Sequence, residues 1–225
     1  MSVLGSVTHV IFDLDGLILD TEVLYDKSIQ KVLDRFGKQY TYEMKKKIMG
    51  MKYHLSMDKL RQDLQVPMTT EDLVTETLST LQGMFKKCNL KPGAEKLIEH
   101  LARHKVPMCI ATGSSSEDYQ LKVHSHQELV SLMEFAVLSD DPEVKFGKPN
   151  PDIFLVAMSR FKTPPSSPGS CLVLEDAPNG VTAALAAGMM TVMVPDPRLI
   201  EKPPAHQVLK SLEDFRPENF GLPPF

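Results

Sequence analysis

Four short segments of this 225-residue chain carry residues whose types suit the transfer of a phosphoryl group. Three of the four directly follow a short run of apolar residues. In an open parallel sheet, ligands bind beyond the carboxyl ends of the strands, so segments far apart in sequence can meet at one edge. The ordered set therefore predicts one shared site, made from Phe12–Gly16 (FDLDG), Ile110–Ser114 (IATGS), Gly147–Pro149 (GKP) and Leu174–Gly180 (LEDAPNG).

The first segment places two carboxylates, Asp13 and Asp15, immediately after an apolar run. Asp13 could attack phosphorus as a nucleophile, because carboxylates form acyl-phosphate intermediates. Asp15 could protonate the leaving oxygen and later deprotonate water. Taken alone, the pattern also fits a strand that ends in a polar turn at Gly16. A calcium-binding EF-hand loop is excluded, because Ile11 would stand at its first position, where an oxygen ligand is required.

The second segment follows an apolar run with a hydroxyl, a glycine and serines. Thr112 can donate a hydrogen bond to a phosphate oxygen, and Gly113 lets the backbone come close. The helix start at Ser114 and the next serines offers N–H groups to an anion. Simple N-capping by a serine explains the same residues equally well, and the two interpretations are compatible.

The third segment holds a single lysine, Lys148, between a glycine and a proline. An ammonium group in a rigid turn can neutralise phosphate charge and tie down a carboxylate nucleophile. A solvated surface lysine is the commoner case. The other three segments are what favour a catalytic and substrate-binding role for Lys148.

The fourth segment places Glu175 and Asp176 side by side at the end of an apolar run. Together with Asp13 and Asp15 they would bring four acids to one point, which is costly unless a cation is present. Oxygen ligands of this kind predict Mg²⁺. The alternative is an acidic N-terminus on a helix over Asn179–Ala187, which the helix dipole would favour.

The elements that must position these segments are five short apolar or β-branched runs with helical patterns between most of them. Strands that alternate with helices predict right-handed crossovers and a parallel sheet covered on both faces. The predicted fold class is therefore α/β, with a Rossmann-like parallel sheet. The predicted strands are Val7–Phe12, Val106–Ala111, Phe135–Leu138, Cys171–Leu174 and Thr191–Val194.

The alternation stops between residues 21 and 88, where only helical patterns occur. The N-cap of one helix there is predicted to be Thr69 or Thr70. The chain is therefore predicted to form two domains, an α/β core of residues 1–20 and 89–225 and a small helical domain of residues 21–88 that acts as a lid. The apolar stripe of the helix after Thr70 comprises Val74, Leu78, Leu81 and Phe85.

Composition and charge exclude several classes of partner. The net charge of −4 is mild, so nothing indicates a nucleic-acid or membrane surface. Cys88, Cys109 and Cys171 have neither metal-type spacing nor an even number, which favours a reducing compartment. The N-terminal residues lack a signal-peptide pattern. The expectation is a cytoplasmic monomer that acts on a small-molecule phosphomonoester.

The four segments, in this order, resemble the motifs of the haloacid-dehalogenase (HAD) superfamily of phosphohydrolases. The resemblance implies the HAD fold, an aspartyl-phosphate intermediate on Asp13 and an acid/base role for Asp15. It also implies that Thr112 and Lys148 bind the phosphoryl group. The helical insertion after the first segment matches the smaller helical cap of that family.

The resemblance also implies a Mg²⁺ site at Asp176, with Glu175 as a further ligand or a supporting group. Longer stretches resemble one subgroup, the animal pseudouridine-5′-phosphatases, so that pseudouridine 5′-phosphate is the expected substrate. Gly113 and Ser115 stand where that subgroup has Ser and Arg, and Leu17 where many superfamily members have Thr. The matching stretches are VTHVIFDLDGLILDTE, PGAEKLIEHL, LSDDPEVKFGKPNPDIF, LVLEDAPNGVTAALAAGM and FGLP.

The cap resembles the subgroup more weakly, so a broad phosphatase of small sugar phosphates or phosphoglycolate stays open. Lys52 and Tyr53 are the first candidates for choosing the substrate. A hexose-phosphate mutase is disfavoured, because Tyr25 stands where those enzymes have His, twelve residues after the nucleophile. A non-catalytic binding protein would be expected to lose Asp13, Lys148 or the acidic pair, and this chain keeps them.

Overall fold

The computed structural model describes residues 6–48, 51, 53–199 and 203–225. The chain divides into two compact units. The core unit comprises the chain before Thr21 together with Asn89–Phe225, and the helical unit comprises Thr21–Cys88. The chain leaves and re-enters the core unit at paired positions, since the Asp20 amide donates to the Asn89 carbonyl at 2.9 Å. The core unit is therefore continuous across the insertion.

The core unit contains, among the described residues, a six-stranded sheet with the order β3-β2-β1-β4-β5-β6, and every pairing is parallel. The predicted parallel α/β fold and the five predicted strands are confirmed. The sixth strand was not predicted, because it has two residues and no apolar run. The strands are β1 (His9–Phe12), β2 (Met108–Ala111), β3 (Ala136–Val137), β4 (Cys171–Glu175), β5 (Met190–Met193) and β6 (Gln207–Val208).

The helical unit contains four helices within its described residues, namely α1 (Glu22–Asp34), α2 (Tyr42–Ile48), α3 (Tyr53–Leu64) and α4 (Thr70–Phe85). Thr69 is the N-cap of α4, because its hydroxyl accepts a 3.0 Å hydrogen bond from the Asp72 amide. The predicted stripe of α4 is wrong at Leu78, which is 38% exposed. The buried face comprises Leu73, Thr77, Leu81 and Phe85.

The error on α4 has a physical origin. A stripe from Leu73 and a stripe from Val74 both include Leu81, so apolar spacing alone could not choose between them. The first stripe passes through Thr77, a polar residue. Thr77 can be buried because its hydroxyl donates a hydrogen bond to the Leu73 carbonyl at 2.7 Å.

The sheet of the core unit is buried on both faces, as a parallel sheet requires. All four residues of β1 are buried. On one face, Ile11 and Val173 pack with Phe154 and Ala184 of the covering helices.

No helix among the described residues is long and apolar enough to cross a membrane. The core-unit helices are α5 (Ala94–Arg103), α6 (Ser116–Lys122), α7 (Gln127–Val130), α8 (Asp152–Arg160) and α9 (Pro178–Ala186).

Candidate active site

Three neighbouring strand ends bring the predicted site residues together at the carboxyl edge of the sheet. Asp13 follows β1, Thr112 follows β2 and Glu175 ends β4, and β1 lies between the other two strands. The Asp13 amide donates to the Leu174 carbonyl at 3.0 Å, which fixes the backbone of Asp13 beside β4. The backbone of the nucleophile candidate is therefore hydrogen-bonded to a neighbouring central strand of the sheet.

Lys148 reaches this edge from the segment between β3 and α8. Its Nζ lies 2.6 Å from Asp13 Oδ1, 2.6 Å from Glu175 Oε1 and 3.2 Å from the Ala111 carbonyl. Its side chain is 9% exposed, so it is not a solvated surface lysine. Three acceptors match the three N–H bonds of the ammonium group.

Burial and neighbouring charge shift the pKa values of both partners. Burial raises the pKa of the Asp13 carboxyl to about 7, and the negative charges of Glu175 and Asp15 act in the same direction. The positive charge of Lys148 acts in the opposite direction and lowers this pKa. Burial by itself would lower the pKa of Lys148, but the charges of Asp13 and Glu175 raise it. Lys148 is therefore a fixed positive charge, and Asp13 needs added positive charge to ionise fully at neutral pH.

Asp13, Glu175 and Asp176 form a cluster in which one carboxylate oxygen of each lies within 4.8 Å of the others. Glu175 is the most restrained of the three. Its Oε1 meets Lys148, and its Oε2 accepts from the Asp176 and Ala177 amides at 2.9 Å each. Glu175 therefore anchors Lys148 and the start of α9, and its oxygens face several donors at once.

Two glycines leave the space that these carboxylates occupy. A Cβ atom at Gly16, where φ is +79°, would lie 2.1 Å from Asp176 Oδ2. A Cβ atom at Gly180 would lie 1.7 Å from Glu175 Oε1. Sequence reasoning assigned Gly16 to a turn and Gly180 to the start of a helix. It did not predict that both must leave room for a carboxylate, because nothing in the local pattern indicates it.

Asp15 lies apart from the three-carboxylate cluster. Its Oδ2 accepts from the Ser114 hydroxyl at 2.6 Å and from the Thr112 hydroxyl at 3.3 Å. Its Oδ1 lies 2.7 Å from Nζ of Lys122. The Thr112 and Ser114 hydroxyls, predicted to bind phosphate, are thus directed at a carboxylate. Lys122 was not predicted, because nothing in its residue type or spacing separates it from a surface lysine.

At the start of α6, one of the N–H groups predicted to be open to an anion already has a partner. The Ser116 amide donates to Asp140 Oδ2 at 3.0 Å, so a carboxylate of the core unit already takes this N–H. Ser115 is the N-cap and accepts from the Asp118 amide at 3.3 Å. Gly113 is exposed, and no described atom lies within 4 Å of a Cβ built on it. The predicted N-capping is confirmed here.

The carboxylate cluster suits a hard cation. Its ligand atoms are all oxygens, and divalent ions such as Mg²⁺ and Ca²⁺ take oxygen ligands. The three carboxylates of the cluster and that of Asp15 carry four negative charges. Lys122 and Lys148 carry two positive charges, so the formal charge of the site is −2. One divalent cation would neutralise that charge, so the residues present fit a metal ion.

The chain matches the family described as haloacid dehalogenase-like hydrolase over residues 10–194. The chain belongs to this family. It is 47% identical to a probable pseudouridine-5′-phosphatase of Drosophila melanogaster, over 99% of this chain and 97% of that protein. It is 48% identical to (DL)-glycerol-3-phosphatase 2 of Arabidopsis thaliana, over 98% of this chain and 94% of that protein.

A solved structure supports the fold assignment independently. A HAD family hydrolase from Deinococcus radiodurans, crystallised with phosphate and sodium, superimposes with a TM-score of 0.80 at 23% identity. The match covers 98% of this chain and all of that one. The core unit thus has the HAD fold, and the helical unit corresponds to the inserted cap domain of that family. Family membership and the two phosphatase relatives make this HAD protein a phosphatase.

Proposed function

We propose that this chain hydrolyses a small phosphomonoester, pseudouridine 5′-phosphate, through an aspartyl-phosphate on Asp13. The observation that carries this proposal is the position of Lys148. Among the described residues, hydrogen bonds to the Asp13 carboxylate reach only Oδ1, which Lys148 holds at 2.6 Å. Oδ2 therefore remains for attack on phosphorus, and the contact of Lys148 with Oδ1 restrains the rotation of the Asp13 side chain.

In the first half-reaction, Asp13 Oδ2 attacks phosphorus and the bond from phosphorus to the ester oxygen breaks. Asp15 gives its proton to that oxygen, so the alcohol leaves neutral. The phosphoryl group remains on Asp13. Lys148 stays beside the carboxylate, where its positive charge offsets the negative charge on the transferred group.

In the second half-reaction, Asp15 takes a proton from water as the water oxygen attacks the phosphorus of the aspartyl-phosphate. The bond from phosphorus to Asp13 breaks, inorganic phosphate leaves and the Asp13 carboxylate is restored. Asp15 ends protonated and ready for the next ester. Each proton given in the first half-reaction is thus recovered in the second.

Mg²⁺ is the proposed cofactor, held by Asp13 and Asp176. Bound there, it would supply the positive charge that keeps Asp13 ionised and that offsets the phosphate oxygens. Glu175 is assigned to hold Lys148, since both of its oxygens already accept hydrogen bonds. A direct contact from the predicted ligand Asp15 stays a prediction, as do the monomeric state and the cytoplasmic location.

A second candidate substrate is glycerol 3-phosphate, because the Arabidopsis relative of that activity is as similar to this chain as the Drosophila one. The core residues serve either ester. A mutase is disfavoured, because Tyr25 stands at the position where those enzymes have a histidine. The Tyr25 ring packs edge-on against Tyr53 and Phe85, with ring centroids 6.4 and 6.3 Å apart. Lys52, the other residue predicted to choose the substrate, lies outside the described residues.

The test is a comparison of kcat/KM on pseudouridine 5′-phosphate, uridine 5′-phosphate, glycerol 3-phosphate and phosphoglycolate, with Mg²⁺ and with excess chelator. We expect the highest value for pseudouridine 5′-phosphate, no turnover in chelator and none with Asp13→Asn. A higher value for glycerol 3-phosphate would select the second candidate. Failure to hydrolyse every ester with Mg²⁺ present would reject the proposal.

A further inference from the structure

Lys122 is a buried lysine at the end of α6, with 3% of its side chain exposed. Its Nζ lies 2.7 Å from Asp15 Oδ1 and donates to the Ser114 hydroxyl at 2.8 Å. Burying an ammonium group is expensive unless it is well paired. An apolar residue would fill the same volume without the free-energy cost of desolvating a charge. The contacts that Lys122 makes therefore indicate a role for the charge itself.

The three side chains form a closed ring. Lys122 contacts Oδ1 of Asp15, the Ser114 hydroxyl donates to Oδ2 at 2.6 Å, and Lys122 in turn donates to the Ser114 oxygen. The Ser114 oxygen accepts from the lysine, so its own proton is directed to the carboxylate. Oδ2 of Asp15 is therefore held by hydrogen bonds and Oδ1 by its ion pair with Lys122, so a rotation of the carboxylate plane would break one of these contacts.

The ring also keeps Asp15 out of the acidic cluster. Asp13 and Glu175, two members of that cluster, contact Lys148, whereas Asp15 contacts the other lysine. Each lysine thus serves a separate part of the site. Without Lys122, the Asp15 carboxylate would lose the positive charge that lies 2.7 Å from its Oδ1, and a nearby cation would compete for it.

We propose that Lys122 is a positioning residue for Asp15, fixing through Ser114 the direction in which the carboxyl group meets the leaving oxygen. This inference rests on the proposed function, in which Asp15 protonates the departing alcohol. Proton transfer depends on orientation, and a positioned acid contributes about 10²- to 10⁴-fold to rate. An ester with a poor leaving group needs that proton, whereas p-nitrophenolate departs without it.

The experiment measures kcat/KM of Lys122→Met on the alkyl phosphate that the wild type hydrolyses best and on p-nitrophenyl phosphate. This parameter reports the steps up to departure of the leaving group. We expect a loss on the alkyl ester at least about 10-fold larger than the loss on the aryl ester. Gln120→Met, at an exposed position of the same helix, is the matched control and should change neither value.

Ser114→Ala provides a second variant in case Lys122→Met folds poorly, and urea unfolding of each variant gives its folded fraction. Ser114→Ala should show the same dependence of kcat/KM on the leaving group, to a smaller extent. Equal losses on both esters after correction for folded protein, or no loss on either, would overturn the inference. A wild type that hydrolyses neither ester would instead reject the proposed function, so the two failures are distinct.

Discussion

The carboxylate of Asp176 lies in the space that any side chain at Gly16 would need, since a Cβ atom there would be 2.1 Å from Asp176 Oδ2. Gly16 also has φ of +79°, which L-residues rarely adopt. The glycine is thus required twice, once by the turn after Asp15 and once by the acidic cluster. The two requirements can be separated by experiment.

Gly16→Ala should lose activity and need a higher Mg²⁺ concentration for half-maximal rate, because Asp176 must move. Gly37→Ala is the matched control, since Gly37 has φ of +63° but no described atom within 4 Å of its Cβ position. Both variants should lose about 1–2 kcal/mol of stability from the left-handed backbone. A Mg²⁺ titration of each variant tests this, and equal Mg²⁺ requirements for the two would contradict it.

Gly180→Ala should be destabilising although alanine favours helices. Its Cβ would lie 1.7 Å from Glu175 Oε1, the oxygen that holds Lys148. Gly83→Ala, in α4 with no described atom within 4 Å of its Cβ position, should gain about 0.5–1 kcal/mol. Urea unfolding compares the two variants, and a stabilised, fully active Gly180→Ala would show that Glu175 is not confined as described.

The pH dependence of stability should report the buried Asp13 carboxyl in metal-free protein. Its pKa is raised from 3.8 to about 7 by burial, so the folded state holds the proton to higher pH than the unfolded chain. Between these values the unfolded state binds fewer protons, and stability falls as pH rises.

Asp13→Asn removes this contribution and nearly preserves the shape of the side chain. In chelator, the free energy of unfolding of the variant minus that of the wild type should therefore grow between pH about 4 and 7. Chemical denaturation at several pH values measures it. A difference that stays constant across this range would mean that Asp13 ionises in the folded state as easily as in the unfolded chain.

Lys148→Ala should lower kcat/KM for every ester together, by about 10²-fold or more, because all substrates share the phosphoryl group. It should also lower the melting temperature, since Asp13 and Glu175 lose the charge that lies 2.6 Å from each. Lys145→Ala, at an exposed lysine three residues earlier, is the control. Reordering of the substrates by Lys148→Ala would assign substrate choice to the core unit.

The sequence by itself determined the framework of the fold. Apolar runs such as Val106–Ala111 are long enough and distinct enough to predict the central strands. Thr69 was identifiable as a cap because capping depends on contacts a few residues away. The four motifs predicted which residues meet, since parallel strand ends share one edge of a sheet. These features arise from local pattern and from a general rule of topology.

Only the tertiary structure decided how the side chains pair. Lys122 meets Asp15 from a position 107 residues away, and Gly180 makes room for Glu175 across the turn into α9. The short strand β6 and the exposure of Leu78 likewise depend on neighbours that the local pattern does not specify. A charge or a gap becomes functional only through what lies within a few ångströms of it, and chain folding sets those distances.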